Sequence, residues 1–76
     1  MEHWVARTMD GRFLRCDKKP FLDENLGIWR VPKDGLSYGL DHEEEYPYPP
    51  ITFEESPKRI IFSNYPYFHF VGYSEE

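Results

Sequence analysis

Cysteine is nearly missing from these 76 residues: Cys16 stands alone, which excludes an internal disulfide and any cysteine-rich zinc site. Long apolar runs are missing too, and no window approaches the ~20 consecutive apolar residues of a membrane-spanning helix. Met1-Glu2-His3-Trp4 has neither the positive nor the apolar region of a secretory signal. Basic charge is scarce, with nine Lys/Arg against fourteen Asp/Glu, a net charge of −5 and a pI near 5.1. That balance disfavours nucleic acid as a partner, because phosphate neutralisation supplies most non-specific affinity. The five glycines match neither a phosphate loop nor a dinucleotide fingerprint. A chain this short buries only ~60% of its unfolded surface, so it holds one small core and no cleft between lobes. The expectation is a cytoplasmic protein that is not an enzyme, with no catalytic residue, metal, cofactor or membrane.

Aromatic side chains are plentiful instead. They make up 18% of the residues, although hydrophobic residues as a whole reach only 39%. Disordered chains are poor in aromatics, and each ring buries ~150–250 Å². Trp4, Phe13, Trp29, Phe53 and Phe62 are therefore the expected core. Seven prolines spread along the chain leave little room for a long helix.

His3 to Cys16 reads as a β-hairpin. Thr8-Met9-Asp10-Gly11-Arg12 suggests a three-residue loop with Gly11 in the left-handed conformation. That register pairs Trp4 with Cys16 and Ala6 with Leu14, and leaves Arg7, Arg12 and Arg15 to meet solvent or acids. Lys18 to Leu22 reads as an irregular or edge segment, because Pro20 cannot donate to a ladder. Asp23-Glu24-Asn25 and Pro32-Lys33-Asp34-Gly35 are turns on either side of a strand over 27–31. A short strand follows over 36–40. Glu45 to Pro50 favours extended backbone. Thr52-Phe53-Glu54-Glu55 has the capping-box pattern, but Pro57 stops it at one turn. Lys58 to Phe62 is the last strand of the core. The predicted fold is all-β: a small twisted meander or partly open SH3-like barrel of four to six strands, with at most one short helical turn. Residues 1–62 form its single domain, and 63–76 form an aromatic arm or edge strand with an acidic tail.

Chemistry is hard to find. The run Glu43-Glu44-Glu45 beside prolines reads as a solvated loop, where no carboxyl is desolvated enough for acid–base work. His3, His42 and His69 lack metal-ligand spacing, and the hairpin register turns Cys16 inward, away from nucleophilic use. Tyr65, Tyr67, Phe68, Phe70 and Tyr73 crowd into nine residues, more than a small core absorbs, and such rings are enriched at interfaces.

The order of Trp4-Val5-Ala6-Arg7, Asp10-Gly11, Leu14, Lys19-Pro20, Gly27-Ile28-Trp29, Tyr46-Pro47 and Ile51-Thr52-Phe53-Glu54-Glu55-Ser56-Pro57-Lys58 resembles a family of short proteins from bacteriophages, prophages and gut bacteria. The family pattern runs W-[IV]-A-R-D-K-D-G, K-P, W, then F-P-E-[IV]-T-F-E-N-S-P. Thr8, Met9, Pro49-Pro50 and everything from Ser63 onward depart from it. The resemblance implies a small β-rich fold in a mobile-element setting and carries over no catalytic residue. The expected function is that of a phage accessory protein that binds, and thereby inhibits, a host or self protein. Its contact residues would be Glu43, Glu44, Glu45, Tyr46, Tyr48, Tyr65, Tyr67, Phe68 and Phe70, and the C-terminal arm is a route to a homodimer. The alternative is a small-ligand or nucleotide binder that uses Arg7, Arg12, Arg15, Trp29 and Arg30.

Overall fold

Strand β1 (Trp4–Arg7) and strand β2 (Phe13–Cys16) form the predicted hairpin. Their register pairs Trp4 with Cys16 and Ala6 with Leu14, as the alternation of the sequence requires. In this computed structural model, which describes residues 2–76, the loop closes through Thr8 and Arg12. The Thr8 N–H donates to Arg12 O at 2.8 Å and the Gly11 N–H to Thr8 O at 3.0 Å. Gly11 sits at φ +87°, a conformation that side-chain-bearing residues adopt at a cost.

Five more strands follow: β3 (Phe21–Asp23), β4 (Ile28–Arg30), β5 (Ser37–Asp41), β6 (Lys58–Ser63) and β7 (His69–Ser74). The main antiparallel sheet has the order β5-β2-β1-β6-β7, and β3-β4 is a separate two-stranded hairpin. The sheet does not close, so the fold is all-β and open-edged. The one helical element among the described residues is a 3-10 turn over Glu43–Glu45. No helix among the described residues is long and apolar enough to cross a membrane.

Local chemistry accounts for the connections. Asp23 caps the β3–β4 turn: its backbone oxygen accepts the Gly27 N–H at 2.7 Å, while its carboxylate takes the Asn25 N–H and Arg30 Nε. Gly35 N–H donates to Pro32 O at 2.8 Å, the second predicted turn. Thr52 and Glu55 make both reciprocal capping bonds, at 2.8 and 3.1 Å, around a single turn that ends at Ser56-Pro57.

The core lies on one face of the main sheet, where Val5, Phe13 and Ile60 are covered by Tyr46 and Ile51 from the 42–57 connection. Tyr48, Phe62, Phe70 and Tyr73 pack around them. Trp4, Ala6 and Cys16 are buried as well, on the opposite face by strand alternation. Of the five aromatics expected inside, Trp29, Phe53 and Phe62 are only half-buried. Phe62 packs against the main cluster, whereas Trp29 and Phe53 lie 5.8 Å apart, away from it.

Both sheet edges are interrupted. Between Arg15 and Cys16 the β5 partner jumps from Gly39 to Ser37, which leaves Tyr38 as a bulge. Between Ile61 and Phe62 the β7 partner jumps from Gly72 to Phe70, which leaves Val71 unpaired. Bulges of this kind twist an edge away from further strand pairing.

Candidate functional site

The most exposed rings sit on the β6–β7 turn. Tyr65 is 86% exposed, Tyr67 66% and Phe68 64%, and Val71 stands open beside them. The turn is nonetheless built. Ser63 Oγ accepts the Tyr65 N–H at 3.2 Å, and His69 Nδ1 lies 2.7 Å from Tyr67 O. Phe68 stacks on Phe62 at 4.9 Å and 24°, so one face of its ring is anchored to the sheet and the other is free. Residues 69–74 pair along β6 within the same chain, so this stretch is an edge strand of the sheet.

The remaining residues expected at the contact surface divide. Glu43, Glu44 and Glu45 are exposed, with the His42 N–H donating to Glu45 Oε1 at 3.2 Å. Tyr46 is a correction: it is buried and stacks on Phe13 at 4.0 Å and 5°. Tyr48 and Phe70 are half-buried and stacked on each other at 5.1 Å, so they too serve the interior. The physical reason is area: Val5, Ile51 and Ile60 are too few to roof a five-stranded sheet, and rings complete the cover.

The alternative ligand face is not assembled. Arg7 and Arg15 share the core face with Val5 and Phe13. Arg7 lies 3.2 Å from Glu43 and 4.7 Å above the Phe13 ring, and Arg15 is held by Asp41 at 2.7 Å. Arg12 pairs with Asp10 at 2.8 Å and Arg30 with Asp23 at 2.9 Å. Each arginine of that set is already bound to a carboxylate, and Trp29 belongs to the other sheet. The sequence could not show this, because the Arg7–Glu43 and Arg15–Asp41 pairs cross 36 and 26 positions of chain.

Sequence reading missed a groove of about 420 Å³ between the β1–β2 loop and the β3–β4 hairpin. Met9, Leu14, Leu26, Ile28, Trp29 and Leu40 give it an apolar lining, to which Thr8, Asp10 and Arg12 also contribute. The available signal was four aliphatic side chains in segments read as turns or short strands, with no core position to receive them.

Arg12 and the Thr8 hydroxyl hold Asp10 at about 2, and Arg30 holds Asp23 below the usual carboxylate range. Burial pushes the Cys16 thiol up to about 11 and lowers His3. Among the described residues no three His, Cys, Asp or Glu side chains converge as metal ligands would. Compared with known proteins, the chain matches no family model, no curated sequence and no solved structure.

Proposed function

We infer that the protein is a small non-enzymatic accessory protein that works by binding another protein through the β6–β7 turn. Tyr65, Tyr67 and Phe68 are its contact rings, and Val71 extends the patch. The observation that carries this reading is the exposure of three aromatic side chains on a turn held by its own hydrogen bonds. Such rings bury large areas at low entropic cost, and an ordered turn offers them with little further ordering to be done. The bulge at Val71 favours side-chain contact over strand addition, which places the binding energy in the rings. Exposed acids flank the fold at Glu43–Glu45 and Glu75–Glu76, which suits a partner whose rim is basic. The resemblance to phage and prophage proteins supports a cytoplasmic role in a host cell, with a host protein as target and inhibition as the outcome.

The test is a point-variant comparison. Truncation after Asn64 would strip β7 from β6 and expose Phe62, so it would report unfolding rather than contact. The double variant Tyr67→Ala/Phe68→Ala leaves every strand pair intact. It is expected to lose the proteins that the wild-type chain captures from host lysate, while Arg12→Gln retains them. Equal capture by the double variant and the wild type would refute the assignment. Sedimentation of the purified chain tests the self-binding form: a dimer that the double variant abolishes is what a second copy as partner requires.

A further inference from the structure

We propose that His3 is a pH-sensitive support of the aromatic turn: its ring, once protonated, leaves its place beside Phe62 and opens the stack that anchors Phe68. The His3 carbonyl accepts the Ile60 N–H at 2.7 Å, so its backbone is fixed to β6 and the side chain is the part that moves. The imidazole is wedged between Tyr38, 4.8 Å away, and Phe62, 5.6 Å away. Phe62 is also the ring on which Phe68 stacks at 4.9 Å. One side chain of β6 therefore stands between the histidine and the anchored ring of the contact turn.

Charge is what the wedge does not accommodate. His3 Nε2 is buried with no partner, so the neutral ring carries its proton on Nδ1 and leaves Nε2 a bare acceptor. A second proton puts a charged donor where no acceptor stands, a far less favourable state than an unused lone pair. The neighbouring elements do not supply that acceptor. Arg15 of β2 and Asp41 of β5 are bound to each other at 2.7 Å and act on His3 with opposite signs. The Tyr38 hydroxyl of β5 donates to Glu2 O at 3.4 Å, and Arg59 of β6 is itself a cation, engaged with Glu76 O. Glu2 is the exception. Its Oε1 accepts the Trp4 indole N–H at 2.7 Å, and its Oε2 has no partner among the described residues. Glu2, His3, Arg59, Phe62 and Phe68 all line one hollow of about 330 Å³. An imidazolium that turns out of the wedge enters this hollow, where it meets water and the Glu2 carboxylate. There it crowds the wall that Phe62 and Phe68 form, and the turn loses its ring held to the sheet. Such a protonation-driven change of a packed surface is a recognised use of histidine.

The regulatory consequence rests on the β6–β7 turn being the contact site, but the free chain tests the switch without a partner. NMR signals of His3, Phe62, Phe68 and His69 are followed from about pH 7.5 to 5, the range in which histidine changes charge. Phe62 and Phe68 are expected to move with the His3 midpoint, which lies below the ordinary 6.5. His3→Phe and His3→Gln, neither of which titrates, should each hold Phe68 in place across the range, and either one that folds suffices. His69→Gln should leave the response intact, although His69 Nδ1 lies 2.7 Å from Tyr67 O. A Phe68 signal that is flat in the wild type, follows the His69 midpoint, or moves equally in the His3 variants would overturn the proposal. Capture from host lysate reads the consequence. Wild-type recovery should fall at least about fivefold between the two ends of that range, the low end of coupling between sites, and recovery by His3→Phe should not. Equal wild-type recovery at both ends would overturn the regulation. Capture that survives Tyr67→Ala/Phe68→Ala refutes the contact reading alone, and the signals of the free chain still decide the switch.

Discussion

The phenol oxygens of Tyr46 and Tyr73 lie 2.7 Å apart, and Tyr73 also donates to the Pro49 carbonyl at 2.6 Å. A carbonyl can only accept, so the single Tyr73 proton goes to Pro49 and Tyr46 must be the donor in the pair. Burial, and then this donated bond, hold the Tyr46 phenol above its ordinary range. The relay ties the 42–57 connection to the edge strand β7, joining the core cover to the strand that carries the aromatic turn.

The two hydroxyls are therefore unequal. Tyr46→Phe removes one donor and leaves Tyr73 bonded to Pro49, at a cost of about 1 kcal/mol. Tyr73→Phe deprives a buried Tyr46 donor of its acceptor and Pro49 of its donor, at a cost of about 2–3 kcal/mol. Urea denaturation of the two variants measures the difference. A Tyr46→Phe loss as large as that of Tyr73→Phe would reverse the assigned direction.

Arg7 is a structural residue by its contacts. Its guanidinium covers the Phe13 ring, donates to Ile51 O at 3.3 Å and meets Glu43, while its backbone N–H donates to Ser56 Oγ at 2.7 Å. Arg7→Lys loses the planar fork and the stacking, and should cost about 1–2 kcal/mol. Glu43→Gln, at an exposed partner, should cost below about 0.5 kcal/mol. Thermal unfolding of both variants decides the matter: an Arg7→Lys protein as stable as the wild type would return Arg7 to the pool of free surface cations.

What the sequence discloses and what it hides follow from range in the chain. The β1–β2 hairpin is legible to the residue, because alternation fixes its faces and Gly11 fixes its loop. The turns at Asp23, Pro32 and Thr52 are legible because their signals lie within four residues. Tyr46 on Phe13 is not legible: 33 positions separate them, and the connection between has no periodicity to aim a ring inward. The bulges at Tyr38 and Val71 leave no mark either, since a strand of alternating residues reads the same with one extra. The aromatic excess of 65–73 is plain in the sequence. Its division into inward Phe70 and Tyr73 and outward Tyr65, Tyr67 and Phe68 depends on where β7 begins.

His3 predicts a pH response. Its ring packs 4.8 Å from Tyr38 and 5.6 Å from Phe62, and Nε2 is buried without a partner. Burial lowers its pKa from 6.5, the Arg15 charge adds to that, and Asp41 opposes it. A folded pKa below the unfolded one means that the unfolded chain binds the extra proton first. Stability is thus full above about pH 7 and declines as pH falls below the unfolded value of ~6.5 toward the folded one. The Asp10 contribution has the carboxylate sign and is lost further down, as pH drops from about 4 toward the folded value of about 2. Chemical denaturation between about pH 7 and 5 should show the decline in the wild type and a flat line in His3→Gln. Identical slopes would place the titration elsewhere.

Cys16 should be inert in the folded protein. Its side chain is fully buried, Sγ donates to Lys18 O at 3.1 Å, and burial with the nearby Asp17 charge places the thiol at about 11. At pH 8 roughly 0.1% of such a thiol is thiolate, against about a quarter of an ordinary one, so reactivity falls by about two hundred-fold before access is considered. A disulfide reagent should therefore label the native chain only as fast as the β1–β2 ladder opens, and addition of urea should raise the rate steeply. Opening is the shared step, so Tyr73→Phe should label faster than the wild type by the factor its lost stability dictates. Rapid stoichiometric labelling at pH 8 without denaturant would show that Cys16 is reached through the folded structure, and the inward register of Trp4 and Cys16 would have to be revised.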